Sequence, residues 1–147
     1  MNQNPAIPLA CACIRGRESH PDLKGTLKLY PHCRGVLVVV DVQGLPETAT
    51  NFFALHIHEG ASCRGSGFPE TGAHYDPMQL PHPRHPGDLP PLLACQGRAY
   101  LAVVTDRFHL QEVVGKTVII HSGPDDFTTQ PSGNAGEKIA CGVIRRI

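Results

Sequence analysis

Tryptophan is absent, methionine occurs twice, and aromatic residues make up only 5% of the chain. Aliphatic side chains must therefore fill the interior. No run of about 18 apolar residues occurs, so no segment reads as a membrane-spanning helix. Neither sign of charge prevails: 13 basic and 13 acidic residues give a formal net charge of zero. That balance excludes a nucleic-acid binder that works by bulk positive charge. Charged residues are scarce as well, at 18% against 41% hydrophobic, which excludes a disordered or coiled-coil chain. Room for long helices is lacking too, because 15 glycines and 14 prolines punctuate 147 residues. The six cysteines, Cys11, Cys13, Cys33, Cys63, Cys95 and Cys141, form no CxxC zinc pattern. A chain with a core of this size does not need three bridges, so mostly reduced, partly buried thiols and at most one disulfide are expected. The N-terminus has neither a Lys/Arg-led start nor an unbroken apolar core, and Pro5 and Pro8 interrupt it. It does not read as a secretory signal, and a cytoplasmic location is expected.

What remains is a series of short strand signals. Leu9–Arg15, Gly25–Tyr30, Gly35–Gln43, Asn51–His58, Arg98–Thr105, Lys116–His121 and Lys138–Ile147 are apolar or alternating runs bounded by turn formers. The second and third, joined by Pro31-His32-Cys33-Arg34, read as a hairpin. Only 106–114 has room for a helical turn. One more strand, near Pro46–Ala49 or Leu89–Gln96, brings the count to seven or eight. The expected fold is all-β: an eight-stranded, immunoglobulin-like Greek-key barrel or sandwich. It forms a single domain over 1–147, with a flexible segment at 1–8. Two stretches, Glu59–Gln96 and Ser122–Glu137, are longer than ordinary connections and are expected to carry function.

The surplus residue is histidine, with nine copies. In Ala54-Leu55-His56-Ile57-His58 the strand period of two puts both imidazoles on one face, roughly 7 Å apart, with Leu55 and Ile57 facing the core. The following loop carries His74, then His82-Pro83-Arg84-His85-Pro86-Gly87-Asp88. His74, His82, His85 and Asp88 make a complete tetrahedral donor set for zinc, on a loop stiffened by proline. His121 ends an apolar run, and with His56, His58 and His74 it makes a four-nitrogen set suited to copper(II). His74 would then be shared by the two ions. His20, His32 and His109 have no partners at metal spacing and read as surface residues.

These residues bring the chain to a family. Leu55-His56-Ile57-His58-Glu59-Gly60, Gly72-Ala73-His74-Tyr75-Asp76-Pro77, His85-Pro86-Gly87-Asp88-Leu89, Gly115 to His121 with Asp125-Asp126, and Gly133 to Val143 stand in order. In these blocks the chain resembles the copper/zinc superoxide dismutases from Gly25 onward. The resemblance implies copper on His56, His58, His74 and His121, and zinc on His74, His82, His85 and Asp88. It implies an imidazolate bridge at His74, which takes a proton when copper is reduced and passes it to the second product. It also implies dismutation of superoxide to O2 and hydrogen peroxide by Cu(II)/Cu(I) cycling. Asp125 would orient His56 and His82 from behind the metals, and Cys63 would pair with Cys141 in a disulfide. Superoxide as substrate, a homodimer and a copper donor are the implied partners.

Two departures stand out. Lys138 occupies the position where most members carry an arginine that guides superoxide; the charge is kept but the planar fork is lost, so a lower rate is expected. His82 and His85 are only three residues apart, so the zinc loop is shorter than in eukaryotic members. This family is a standing example of electrostatic steering. With zero net charge, attraction of an anion must come from Lys138, Arg84, Lys116 and the metals, against Asp125 and Asp126. Cys11 and Cys13 share one strand face and read as buried thiols, with a copper(I) entry site as the sharper alternative. A copper-buffering homologue of low turnover is the alternative function. A zinc hydrolase is disfavoured by a zinc set that is already four-coordinate, and a purely structural sandwich by the histidines.

Overall fold

The computed structural model describes residues 7–147; residues 1–6, most of the segment expected to be flexible, lie outside the described residues. The strands are β1 (Ala10–Gly16), β2 (Lys24–His32), β3 (Gly35–Gln43), β4 (Phe52–His58), β5 (Asp88–Leu93), β6 (Ala99–Thr105), β7 (Thr117–His121), β8 (Lys138–Val143) and β9 (Arg145–Arg146). One short helix, α1 (Leu110–Val113), follows β6. The pairing order is β5-β4-β7-β8-β1-β2-β3-β6, with β9 against β1. Every pairing is antiparallel, so eight strands form a nearly closed barrel that gaps between β5 and β6. The connections from β3 to β4 and from β6 to β7 run between strands that are not neighbours, which is the Greek-key crossing expected for this class.

Alternation decides what fills the barrel. Ala10, Ala12 and Ile14 of β1, Leu27 and Leu29 of β2, and Val36, Val38, Val40 and Val42 of β3 all point inward. Phe53, Leu55 and Ile57 of β4 and Val118 and Ile120 of β7 complete the core. The β-branched and leucine side chains replace the missing aromatics, and Phe53 is the largest of the fully buried ones. Beyond the exposed Phe52, the outward residues of β4 and those of β7 are buried as well, because the long loops cover this wall of the barrel. That second buried layer is where the site lies.

Two sequence expectations need correction, and the choice between two places for an extra strand falls to the second. The run 138–147 is not one strand: Ile144 turns into the core, its N–H donates to Lys116 O (2.8 Å), and β9 continues onto β1. The extra strand is β5, within the 59–96 stretch; at 46–51 Thr48 and Asn51 instead exchange side-chain-to-backbone hydrogen bonds of 2.9 Å. The hairpin loop is only Cys33-Arg34, because Pro31 and His32 still pair with β3.

The inward and outward faces of β4 predict a sharp contrast. Phe53→Ala should cost about 3–5 kcal/mol in denaturant unfolding, whereas Phe52→Ala, next to it and 39% exposed, should cost about 1 kcal/mol or less. Equal losses would show that the strand faces are misassigned.

Candidate metal centre

His56 and His58 stand on the outer face of β4, and His121 ends β7 on the same face. Antiparallel register sets them side by side, with His56 opposite Ile119 and His58 opposite Thr117. The long loop is stitched onto the backbone of β4. Tyr75 N–H donates to Ile57 O (2.8 Å), Ile57 N–H to Gly87 O (2.8 Å), and Glu59 N–H to Ala73 O (2.9 Å). These bonds carry His74 to His58, where the two residues form a β-bridge, and bring His82, His85 and Asp88 close behind. All seven side chains are buried.

Two groups of ligand atoms result. One comprises His56, His58, His74 and His121; the other comprises His56, His74, His82 and Asp88; within each, the atoms lie inside 4.8 Å of one another. His85 sits beside the second group, with Nδ1 3.2 Å from both Asp88 Oδ2 and His74 Nδ1. The remaining histidines, His20, His32 and His109, stay outside, and His109 instead caps α1 through a reciprocal contact with Glu112.

His56, His58, His82 and His121 each spend one nitrogen on the protein outside the donor groups and turn the other inward. His58 Nδ1 donates to Gly72 O (2.8 Å) and His121 Nδ1 to Gly136 O (3.2 Å), which leaves the two Nε2 atoms facing each other at 3.4 Å. His56 Nε2 and His82 Nε2 donate to the two oxygens of Asp125, at 2.8 and 2.7 Å. A carboxylate can only accept here, so both rings carry their proton on Nε2 and turn Nδ1 toward the interior of the site, that of His82 lying 3.1 Å from Asp88 Oδ2. His56 Nδ1, His74 Nε2 and His82 Nδ1 are buried without any hydrogen-bond partner. Buried nitrogens left bare in converging rings are costly unless something binds them, and a metal ion meets that need. His56 and His74 fall in both groups, and His74 offers them its two edges: Nε2 is bare, and Nδ1 lies 2.8 Å from Asp88 Oδ1. The donors fit copper in the first set and zinc in the second.

Close approach behind the site requires a glycine. Gly133 has φ of 74°, and a Cβ there would stand 2.0 Å from Asp125 Oδ1 and 2.7 Å from His82 Nε2. In front, a cavity of about 560 Å³ opens over His58, His74 and His121, with Lys138 on its rim. Among the described residues Lys138 is the one Lys or Arg lining that cavity; Arg84 and Lys116, expected to share its role, do not line it. Lys116 instead lies 4.9 Å over the Tyr75 ring. Lys138 Nζ donates to Thr71 Oγ1 (2.7 Å) and Gly72 O (3.2 Å), and burial lowers its pKa. Thr71 and the Gly72 and Gly136 carbonyls carry no sequence signal of their own and were not foreseen.

The disulfide joins Cys63 to Cys141, across 78 residues, and packs with Phe68 and Ile119 beside the site. The free thiols correct the expectation of burial: Cys11 is half-buried and Cys13, Cys33 and Cys95 are exposed. The reason is the strand period, since Ala10, Ala12 and Ile14 take the inward positions of β1.

An antiparallel barrel with two overlapping histidine-rich donor groups on its outer wall defines a class of β-barrel metalloprotein. The family profile "Copper/zinc superoxide dismutase (SODC)" matches residues 23–144. Superoxide dismutase [Cu-Zn] 2 of Aquifex aeolicus is 34% identical over 136 residues, 82% of this chain and 78% of that protein. The Legionella pneumophila superoxide dismutase [Cu-Zn] is 36% identical over 119 residues, 76% of this chain and 71% of that one. The rat extracellular superoxide dismutase [Cu-Zn] is 32% identical over 114 residues; the match spans 71% of this chain but 46% of that protein's length. The crystal structure of a SOD-like protein from Bacillus subtilis superposes with a TM-score of 0.77 at 25% identity, over 90% of this chain and 95% of that one. The chain belongs to the copper/zinc superoxide dismutase family.

Burial drives His58 from an ordinary 6.5 down to about 2 and His121 down to about 3 in the metal-free chain, with nearby imidazoles and Lys138 adding to both shifts. Between pH 3 and 6.5 the folded chain therefore binds fewer protons at these sites than the unfolded chain. Their contribution is complete above the unfolded value and is lost as pH falls. Asp125 extends the loss to lower pH: burial opposes its charge, but His56, His82 and the Phe127 N–H outweigh burial and depress its pKa. The metal-free protein should thus keep a constant denaturation midpoint above about pH 7 and lose it steadily on acidification below about pH 6.5. A midpoint that rises on acidification would contradict these shifts.

Proposed function

We propose that this chain dismutates superoxide at a centre where His56, His58, His74 and His121 hold copper and His74, His82, His85 and Asp88 hold zinc. The observation that carries the reading is the set of bare, buried nitrogens on His56, His74 and His82, inside a family whose members use these two metals. Bound copper supplies a one-electron redox couple, so that one superoxide is oxidised to O2 and a second, taking two protons, is reduced to hydrogen peroxide. Zinc has no redox chemistry and organises the loop.

The chain's own residues do the rest. His74 has two ring nitrogens at the junction of both sets, and a proton held on Nε2 would face the substrate cavity. Asp125 holds the rings of His56 and His82 against rotation. Lys138 provides the positive charge at the cavity that draws an anion toward the metals. Its ammonium is anchored on Thr71 and Gly72, so the charge is fixed in place, although it lacks arginine's paired donors.

The same reading takes the chain as one domain, with superoxide as substrate and a copper donor and a second copy as partners. Phe52 and Leu93, cross-strand partners that are both exposed, support a homodimer. A cytoplasmic location fits three exposed free thiols, which persist in reducing compartments.

Three experiments test this. The copper- and zinc-loaded protein should give the electron paramagnetic resonance signal of a distorted four-nitrogen copper site together with rapid superoxide decay. His121→Ala should keep its zinc and lose copper and activity. A loaded protein with neither the signal nor dismutation would overturn the reading. Lys138→Arg should raise kcat/KM by restoring the planar fork; an unchanged or lower value would mean that the ammonium already serves as well.

A further inference from the structure

Outside the metal centre, four of the six sulfurs line one groove. Cys11 and Cys13 stand on the outer face of β1, and Cys63 and Cys141, joined in the disulfide, form part of the same wall. Register surrounds the free pair with cations. Cys11 is opposite Lys28 on β2 and opposite Arg145 on β9, while Arg15, two places along the same face from Cys13, is opposite Cys141. Among the described residues, no acidic side chain lines the groove.

We propose that Cys11 and Cys13 form a two-thiolate site for a soft monovalent ion of the copper(I) class. Residues i and i+2 of a strand project to one side, so two sulfurs can close on one ion from opposite sides without breaking the β1 ladder. Binding exchanges two thiol protons for one monovalent ion, and the product carries one net negative charge. Lys28 and Arg145 flank the position where that charge appears. Soft thiolates select copper(I), whereas the side chains lining the groove are cationic, apolar or sulfur-bearing and supply no hard carboxylate ligand for a divalent cation.

Two competing readings fail on geometry. Structural zinc takes four ligands, and the other two sulfurs of the groove are bonded to each other. A Cys11–Cys13 disulfide would need the Cβ atoms about 3.5–4.5 Å apart, although an extended strand spaces such residues roughly 6.6 Å apart. Burial and then the neighbouring Cys13 thiol raise the pKa of Cys11, and Lys28 opposes them. Cys11 therefore keeps its proton until a thiophilic ion displaces it.

The test uses the full chain with its copper and zinc sites already loaded and its disulfide intact, under anaerobic conditions. Titration with copper(I) buffered by bathocuproine disulfonate should show one further equivalent, with a thiolate-to-copper absorption band. That equivalent should be lost in Cys11→Ser and in Cys13→Ser and kept in Cys33→Ser and Cys95→Ser. Silver(I), used as a redox-silent probe on the unsubstituted protein, should protect Cys11 and Cys13 from alkylation while Cys33 and Cys95 are labelled. Undiminished uptake in the first two variants, uptake only after reduction of Cys63–Cys141, or equal labelling of all four thiols would each overturn the proposal.

Discussion

The carboxylate of Asp125 lies where three segments distant in the chain come together: β4, the loop after it, and the loop before β8. Its two oxygens accept from His56 and His82, and Oδ1 also accepts from Phe127 N–H at 2.8 Å. A buried charge without partners would cost several kcal/mol; here three donors satisfy it and hold it ionised. The same bonds take the Nε2 protons of both histidines and leave the Nδ1 atoms bare toward the interior of the site. Gly133 exists as glycine because nothing larger fits against this carboxylate. Metal affinity, loop position and ring orientation all depend on this one anion.

The wall of the barrel carries the site's influence further. One row of outward residues runs from His56 to Ile119, then to Cys141 and to Arg15, each directly paired across adjacent strands. The disulfide clips the long loop to that row, worth roughly 4.5 kcal/mol in the chain-entropy picture for a loop of this length. Phe68 packs on the clip, and its carbonyl accepts from Thr71 Oγ1 (2.8 Å), the hydroxyl that also receives Lys138. The cation at the cavity is thus set by the same loop that positions His74. On the far side of the disulfide the row reaches β1, where the basic groove with its two thiols begins.

The zero net charge acquires a definite meaning in this arrangement. Long-range attraction of an anion has no global field to rely on, and of the three cations proposed to steer, only Lys138 faces the cavity. Asp125, one of the acidic residues counted against it, is buried and hydrogen-bonded behind the metals rather than facing incoming anions.

Much of this was legible from residue order. The His-x-His spacing on a strand, the proline-stiffened ligand loop and the apolar run ending in His121 are local patterns, and local patterns follow from the period of two and the chemistry of imidazole. The alternation on β1 was equally local, yet Cys11 and Cys13 were misread, because a period says which residues share a face and not which face meets the core. The break at Ile144 depends on core residues from other strands, among which its side chain is buried, and the anchoring of Lys138 by Thr71 joins residues 67 positions apart. The sequence by itself therefore determined the strands, the donor inventory and the family. Only the tertiary structure decided which nitrogen of each ring is free, which cation reaches the cavity and which sulfurs share a groove, since each of these is settled by contacts between segments far apart in the chain.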